Sequence, residues 1–191
     1  MTDMYEGIEK QLKAHYCGWK GAEQFTGTGN RLRRMVEELC WPNDRVEKEL
    51  AKCFKAIFID SYDELLVSGP TEVWTLCPHH LLPCELKVFI GYIPTKGVLG
   101  LSKFSRIAVI LGKRPVIQEM YSRELAEAIW NKLKPKGLGV YVIGRHGCMQ
   151  ARGVQQKATV TTSILKGAIF DSPEVRAEFY AAVKGGNGNN V

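Results

Sequence analysis

Three of the chain's four histidines and two of its six cysteines sit in two short segments, Cys77-Pro78-His79-His80 and His146-Gly147-Cys148. If one metal ion takes ligands from both, the fold must bring together two positions remote in sequence, a strict condition on any architecture. Cys77 and His80, three apart, can turn in a tight loop onto one ion, and Cys148 completes a trio. Two thiolates and one imidazole suit Zn²⁺ and leave its fourth tetrahedral position for water, as a catalytic site requires; a structural site closes with a fourth protein ligand. A lone Cys-x-x-His says little, and the competing reading of each segment is a spare thiol and a spare histidine. The clustering of two Cys/His pairs is what favours the metal. His79 and His146 then lie beside the ion without binding it, and an imidazole that titrates near neutrality is suited to moving protons there.

Charge is the second constraint. Residues 96–157 hold 12 Lys/Arg against 3 Glu, a local +9 in a chain of net +6, whereas the first 95 residues sum to −3. A basic half implies an anionic partner, nucleic acid or a polyphosphate, and composition does not choose between them. Lys103 and Arg106 fall three apart at the start of a predicted helix, where free N–H groups and the dipole favour phosphate. Arg152 follows Cys148 closely and so lies within reach of the metal ligands. Arg31 and Arg34 share a helical face, which a solvated surface explains as well as an anion does. Gln118-Glu119 offers a carboxylate that can accept from the N1–H and 2-amino edge of guanine, although such a pair is commonplace near a helix start.

Periodicity divides the chain near residue 62. Residues 1–62 read as a helical extension: Tyr5, Ile8 and Leu12 recur at helical spacing, Asn30 can cap a second helix, and Pro42-Asn43-Asp44 opens a third. Residues 63–184 read as an α+β domain. Glu64–Ser68 and Thr71–Cys77 are predicted as short strands, and Glu85–Ile93 as a longer one with Leu86, Val88, Ile90 and Tyr92 on one face. Helices follow at Lys103–Leu111 and, capped by Ser122, at Arg123–Leu133. Strands return at Gly139–Arg145 and Ala158–Ser163, and Ser172-Pro173 opens a last helix. The order strand, strand, helix, helix, strand, strand implies paired antiparallel strands with helices on one face. Residues 185–191, rich in Gly and Asn, read as a disordered tail. Scattered cysteines, no secretory pattern after Met1 and no apolar run near ~20 residues point to a cytoplasmic protein with free or metal-bound thiols and no membrane partner.

Taken together and in order, these segments resemble the GTP cyclohydrolase I family. The resemblance is carried by Cys77-Pro78-His79-His80-Leu81-Leu82-Pro83, Gly91-Tyr92-Ile93-Pro94, Gly100-Leu101-Ser102-Lys103 with Arg106-Ile107, and Arg114-Pro115-Val116-Ile117-Gln118-Glu119. It continues through His146-Gly147-Cys148-Met149-Gln150-Ala151-Arg152-Gly153-Val154 and Thr161-Thr162-Ser163, with a looser match at Thr28–Met35. It implies the tunnelling fold, zinc on Cys77, His80 and Cys148, and proton transfer by His79 and His146. It further implies guanine recognition by Glu119 with Gln118, Ser102 near the ribose, and a triphosphate held by Lys103, Arg106 and Arg152 with Arg31 and Arg34. The implied reaction is hydrolysis of the guanine imidazole ring of GTP at C8, releasing formate and giving 7,8-dihydroneopterin triphosphate. The implied assembly is a homodecamer of two pentamers with active sites between subunits, so that a lone subunit is inactive.

The chain departs from the family pattern at Pro78, where Glu is usual, at Cys84-Glu85-Leu86, where two aromatics and Gly are usual, and at Gly29 and Arg34, which stand for Pro and Lys. Pro78 keeps open a variant that stops at a ring-opened formamidopyrimidine nucleotide. A non-enzymatic zinc module on nucleic acid is the rival of another class; it requires a fourth ligand and stacking aromatics beside the basic residues, but no compelling fourth ligand is found and the basic residues cluster by motif instead of forming a stripe.

Overall fold

A four-stranded antiparallel sheet, with β2 (Leu66–Leu76), β3 (Pro83–Ile93), β5 (Gly137–His146) and β6 (Thr159–Gly167) in that order, organises the larger part of the chain. The computed structural model describes residues 3–59 and 62–187. Two units separate, Met1–Trp41 and Pro42–Val191.

The first unit pairs α1 (Met4–His15) with α2 (Thr28–Leu39) through a 3-10 turn at Ala22–Phe25. Asp3 caps α1 by accepting from the Tyr5 N–H at 3.0 Å. Asn30, read from the sequence as the cap of the second helix, lies inside it instead, because the helix begins two residues earlier. The cap comes from a residue remote in sequence: the Glu9 carboxylate accepts from the N–H groups of Gly27 and Gly29 at 3.1 and 3.0 Å. A proline at position 29 has no N–H to give, so Gly29 and Glu9 belong together.

The second unit begins with α3 (Asn43–Cys53), opened as predicted after Pro42, then β1 (Ile57–Phe58). These residues were read with the N-terminal extension. They belong with the sheet unit because α3 packs on α4 (Leu101–Leu111) and β1 pairs with β4 (Val98–Leu99). The two short strands read before residue 77 are one strand, β2 (Leu66–Leu76), whose register shifts between Ser68 and Thr71. β3 (Pro83–Ile93), β5 (Gly137–His146) and β6 (Thr159–Gly167) complete the sheet, and α5 (Gln118–Leu133) precedes β5. This is the α+β tunnelling fold, in the predicted order. α5 starts five residues before the sequence reading placed it, so Ser122 lies within the helix and its Oγ donates back to the Gln118 carbonyl at 2.9 Å.

Alternation along the strands builds two apolar faces. Leu86, Val88, Ile90 and Tyr92 are buried on one side, where α4 and α5 pack and Tyr92 meets Phe104 at 4.9 Å between ring centroids. Phe89 and Ile93 point the other way and join Ile169, Phe179 and Val183 from α7 (Ala168–Asp171) and α8 (Pro173–Asn187). Gly91 and Gly139, paired across β3 and β5, leave room for Phe179: a Cβ on either would approach its ring to 2.6 or 2.9 Å. Ser172 accepts from the Val175 N–H at 3.2 Å and caps α8 as predicted. That helix runs on through 185–187, the start of the predicted tail; the rest of that tail, 188–191, lies outside the described residues. Among the described residues, no helix is long and apolar enough to cross a membrane.

Candidate metal centre

Three chain ends meet at one edge of the sheet. β2 finishes at Leu76, paired with Pro83 at the start of β3, and β5 finishes at His146, paired with Cys84. Antiparallel register thus brings Cys77, one residue past β2, to the short helix α6 (Gly147–Gln150) that carries Cys148. The intervening turn is closed by the Cys77 N–H on the Leu82 carbonyl at 2.9 Å and the Leu81 N–H on the Cys77 carbonyl at 2.8 Å. It folds His80 back so that Nδ1 lies 3.6 Å from the Cys77 sulfur.

Ligand atoms of Cys77, His80 and Cys148 lie within 4.8 Å of one another, and no fourth Cys, His, Asp or Glu joins them among the described residues. Sulfur and imidazole nitrogen are the donors zinc prefers, at roughly 2.0–2.3 Å, so a set already gathered this closely fits the ion with small rotamer changes. Cys77 is buried, Cys148 half-buried and His80 exposed, which leaves the group accessible from one side. Burial, then the hydrogen bond and field of Cys77, hold the Cys148 thiol above the ordinary cysteine range.

Cys77 and Cys148 of the trio border a cleft of about 210 Å³ lined also by His79, Cys84, Gln118, Glu119 and His146 among others. The connector before α5 is tied to the end of β2, with Thr75 Oγ1 donating to the Arg114 carbonyl at 2.9 Å and the Val116 N–H to the Leu76 carbonyl at 3.2 Å. Those bonds deliver Gln118 and Glu119 to the cleft. Glu119 is exposed there, in the first turn of α5. His79 is exposed at the rim, with Nδ1 3.8 Å from the Cys77 sulfur.

Gln118 departs from the sequence reading. It is buried, and its Nε2 donates to the Val142 and Val160 carbonyls and to Thr162 Oγ1 at 3.1, 3.0 and 3.2 Å. Its Oε1 lies 2.8 Å from His146 Nε2. In this arrangement Gln118 lines the cleft with its amide hydrogen bonds taken up by the sheet and by a histidine. Burial pushes the His146 imidazole below its ordinary pKa, with Glu119 pulling the other way. On the other side of the ring, Nδ1 lies 3.4 Å from the sulfur of Cys84, a contact the sequence reading missed. Burial, then the fields of Cys148 and Cys77, push the Cys84 thiol up to about 11.

The basic residues divide. Arg152 is in place beside the trio, its guanidinium donating to His80 Nε2 at 2.6 Å. Ser102, Lys103 and Arg106 are not among the residues that line the cleft. They sit on the first turns of α4, where Ser105 Oγ meets Thr71 Oγ1 at 2.9 Å and the Leu99 N–H donates to Tyr92 Oη at 3.1 Å. Thr71 is six strand residues from Cys77, roughly 20 Å at the rise of a β-strand. Arg31 and Arg34 belong to the first unit; Arg31 donates to the Thr26 and Gln24 carbonyls at 3.2 Å each.

A family model for GTP cyclohydrolase I matches residues 15–184. The chain is 40% identical to a GTP cyclohydrolase 1 of Campylobacter curvus over 184 residues, covering 96% of each protein. It is 41% identical to the GTP cyclohydrolase 1 of Homo sapiens over 130 residues, which are 68% of this chain and 52% of the human protein. A Chlorobium chlorochromatii GTP cyclohydrolase 1 is 36% identical over 163 residues, 85% of this chain and 72% of that protein.

Proposed function

This chain belongs to the GTP cyclohydrolase I family, and on that premise we propose that it opens the guanine imidazole ring of GTP by zinc-dependent hydrolysis at C8, releasing formate and forming 7,8-dihydroneopterin triphosphate. The observation that carries this reading is the convergence of Cys77, His80 and Cys148 at a cleft that Glu119 and His146 also line. Zinc held by those three residues supplies Lewis acidity and makes water a competent nucleophile at neutral pH. Glu119, exposed at the cleft, accepts from the N1–H and 2-amino group of guanine. His79 and His146 carry protons to the ring nitrogen and the leaving groups. Gln118 serves the guanine end indirectly, by holding His146.

Phosphate binding completes the site. Arg152 stands beside His80, close enough to the trio to grip a polyphosphate whose base lies over it. Lys103, Arg106 and Ser102 lie on α4, away from the cleft lining, which supports a composite site in which a neighbouring subunit supplies them. A toroidal decamer of two pentamers is the assembly proposed, with Arg31 and Arg34 contributing to the same anion pocket. Fixing the triphosphate at several points holds C8 over the reacting groups, an orientation effect.

A second reading follows from Pro78, which lines the cleft where the family pattern has Glu: the reaction stops at a ring-opened formamidopyrimidine nucleotide. One incubation separates these outcomes. Zinc-loaded protein with GTP should release formate and give a product that fluoresces after oxidation as a pterin. A mass gain of one water with no formate and no pterin fluorescence favours the second reading, and an unchanged nucleotide defeats both. Cys148→Ala should lose bound zinc and turnover together; a zinc-replete, active variant would refute the ligand set.

A further inference from the structure

The contacts around His146 fix the direction of every hydrogen bond on its ring. Nε2 of Gln118 faces the Val142 and Val160 carbonyls, which can only accept, so the amide nitrogen must point there and Oε1 must point at His146. An amide oxygen only accepts, so the proton of a neutral His146 sits on Nε2. That leaves Nδ1 bare, and the group beside it at 3.4 Å is the Cys84 thiol. The thiol's nearest alternative acceptor, the Leu82 carbonyl, is farther away at 3.9 Å. The same logic runs outward: Ser122 Oγ gives its proton to the Gln118 carbonyl, so Thr162 Oγ1 donates to Ser122 at 2.6 Å while accepting from Gln118.

Strand geometry is shaped to this arrangement. Cys84 and His146 are direct cross-strand partners, and Gly144 lies two residues before His146 on the same face. A Cβ at Gly144 would come within 2.1 Å of Gln118 Oε1 and 3.0 Å of His146 Nε2, so the strand is stripped of a side chain where the Gln118–His146 bond passes. Cys84 places a small donor on the other side of the ring, and no buried side-chain polar atom is left without a partner among the described residues.

We infer that Cys84 is a positioning residue for His146: its thiol donates to Nδ1 and, with Gln118, pins the neutral ring in one orientation with its proton on Nε2. In its catalytic consequence this rests on the proposed hydrolysis, for which a ring fixed in one orientation and one tautomer stands ready at the cleft it lines. Cys84 also lines that cleft, but its thiol is given to the His146 ring, and it acts through that ring.

The test uses zinc-loaded full-length protein with ¹⁵N-labelled histidine, the His146 signals being identified by their loss in His146→Gln. The unaltered protein should show a protonated Nε2 and a bare Nδ1 that accepts a hydrogen bond. In Cys84→Ala the Nδ1 resonance should move toward that of a nitrogen without a donor, and in Cys84→Ser it should return. Turnover of GTP should fall about five- to tenfold in kcat for Cys84→Ala with KM and zinc content held, and recover in Cys84→Ser. A proton on Nδ1 in the unaltered protein, an Nδ1 resonance unmoved by Cys84→Ala, or a serine variant as slow as the alanine one would overturn the assignment. If the unaltered protein leaves GTP unchanged, the hydrolytic reading fails, while the spectra still decide whether Cys84 pins the ring.

Discussion

Glu9 shows how much one side chain can take over from its surroundings. Its hydrogen bond with Lys13, then the Gly29 and Gly27 N–H groups, lower the carboxyl from its ordinary 4.5 to about 2. A carboxyl with a depressed folded-state pKa contributes its stabilisation above the unfolded value and loses it as pH falls through the folded one. The start of α2 should therefore loosen between about pH 4.5 and about pH 2 and not above that window. Amide exchange at Gly27 and Gly29, followed down that range, measures it; protection that persists unchanged at the acid end contradicts the cap. Gln118 carries a different kind of weight. Gln118→Leu removes the donor to two carbonyls and a hydroxyl in a buried place, which should cost about 1–3 kcal/mol in denaturant unfolding. A loss below roughly 0.5 kcal/mol would mean that these groups find other partners.

At the scale of elements, α8 is held to the sheet by a ring in a glycine-lined recess. Phe179 is fully buried against Gly91 and Gly139, with Phe89, Ile93, Ile169 and Val183 around it. Phe179→Ala should cost about 3–5 kcal/mol, transfer and cavity together, because strands that bond to each other across the recess cannot collapse into it. Gly139→Ala should also destabilise, for the opposite reason, since its methyl would stand 2.9 Å from the ring. Thermal unfolding of both variants is the check, and a neutral Gly139→Ala would show that the helix can slide. The metal trio lies beyond the other face's strand ends, so zinc content should hold in Gly139→Ala as long as the sheet register does.

For the whole molecule, the separation of two charged clusters has a direct consequence. Lys103 and Arg106 lie on α4, whose Ser105 bonds Thr71 midway along β2, whereas the ligand trio lies past Leu76 at the end of that strand. If neighbouring subunits join these clusters, a Lys103→Ala chain and a Cys148→Ala chain, each inactive alone, should regain part of the turnover when unfolded and refolded together. Formate release by the mixture, compared with each variant refolded alone, reads this out; no recovery in a mixed oligomer would place the whole site within one chain. The concentration of positive charge in residues 96–157 fits such an anion-binding rim better than a continuous nucleic-acid stripe, because Arg152 stands beside His80 while Lys103 and Arg106 lie on α4, outside the cleft lining.

The ligand types, the order of strands and helices, and the alternating face of β3 could all be read along the chain, because each depends on spacing within a few residues: two for a strand, three or four for a helix or a metal turn. The α2 cap, the true start of α5 and the roles of Gln118 and Cys84 could not. Each depends on which groups tertiary packing sets against one another: Glu9 at Gly29 between helices, Cys84 at His146 across strands, Gln118 of α5 among three acceptors. A hydrogen-bond donor is assigned by whatever acceptor lies nearest in space, and no local propensity records that. Local chemistry therefore suggested the donor set and the elements, while long-range pairing decided which side chains gather at the trio and which hold their neighbours.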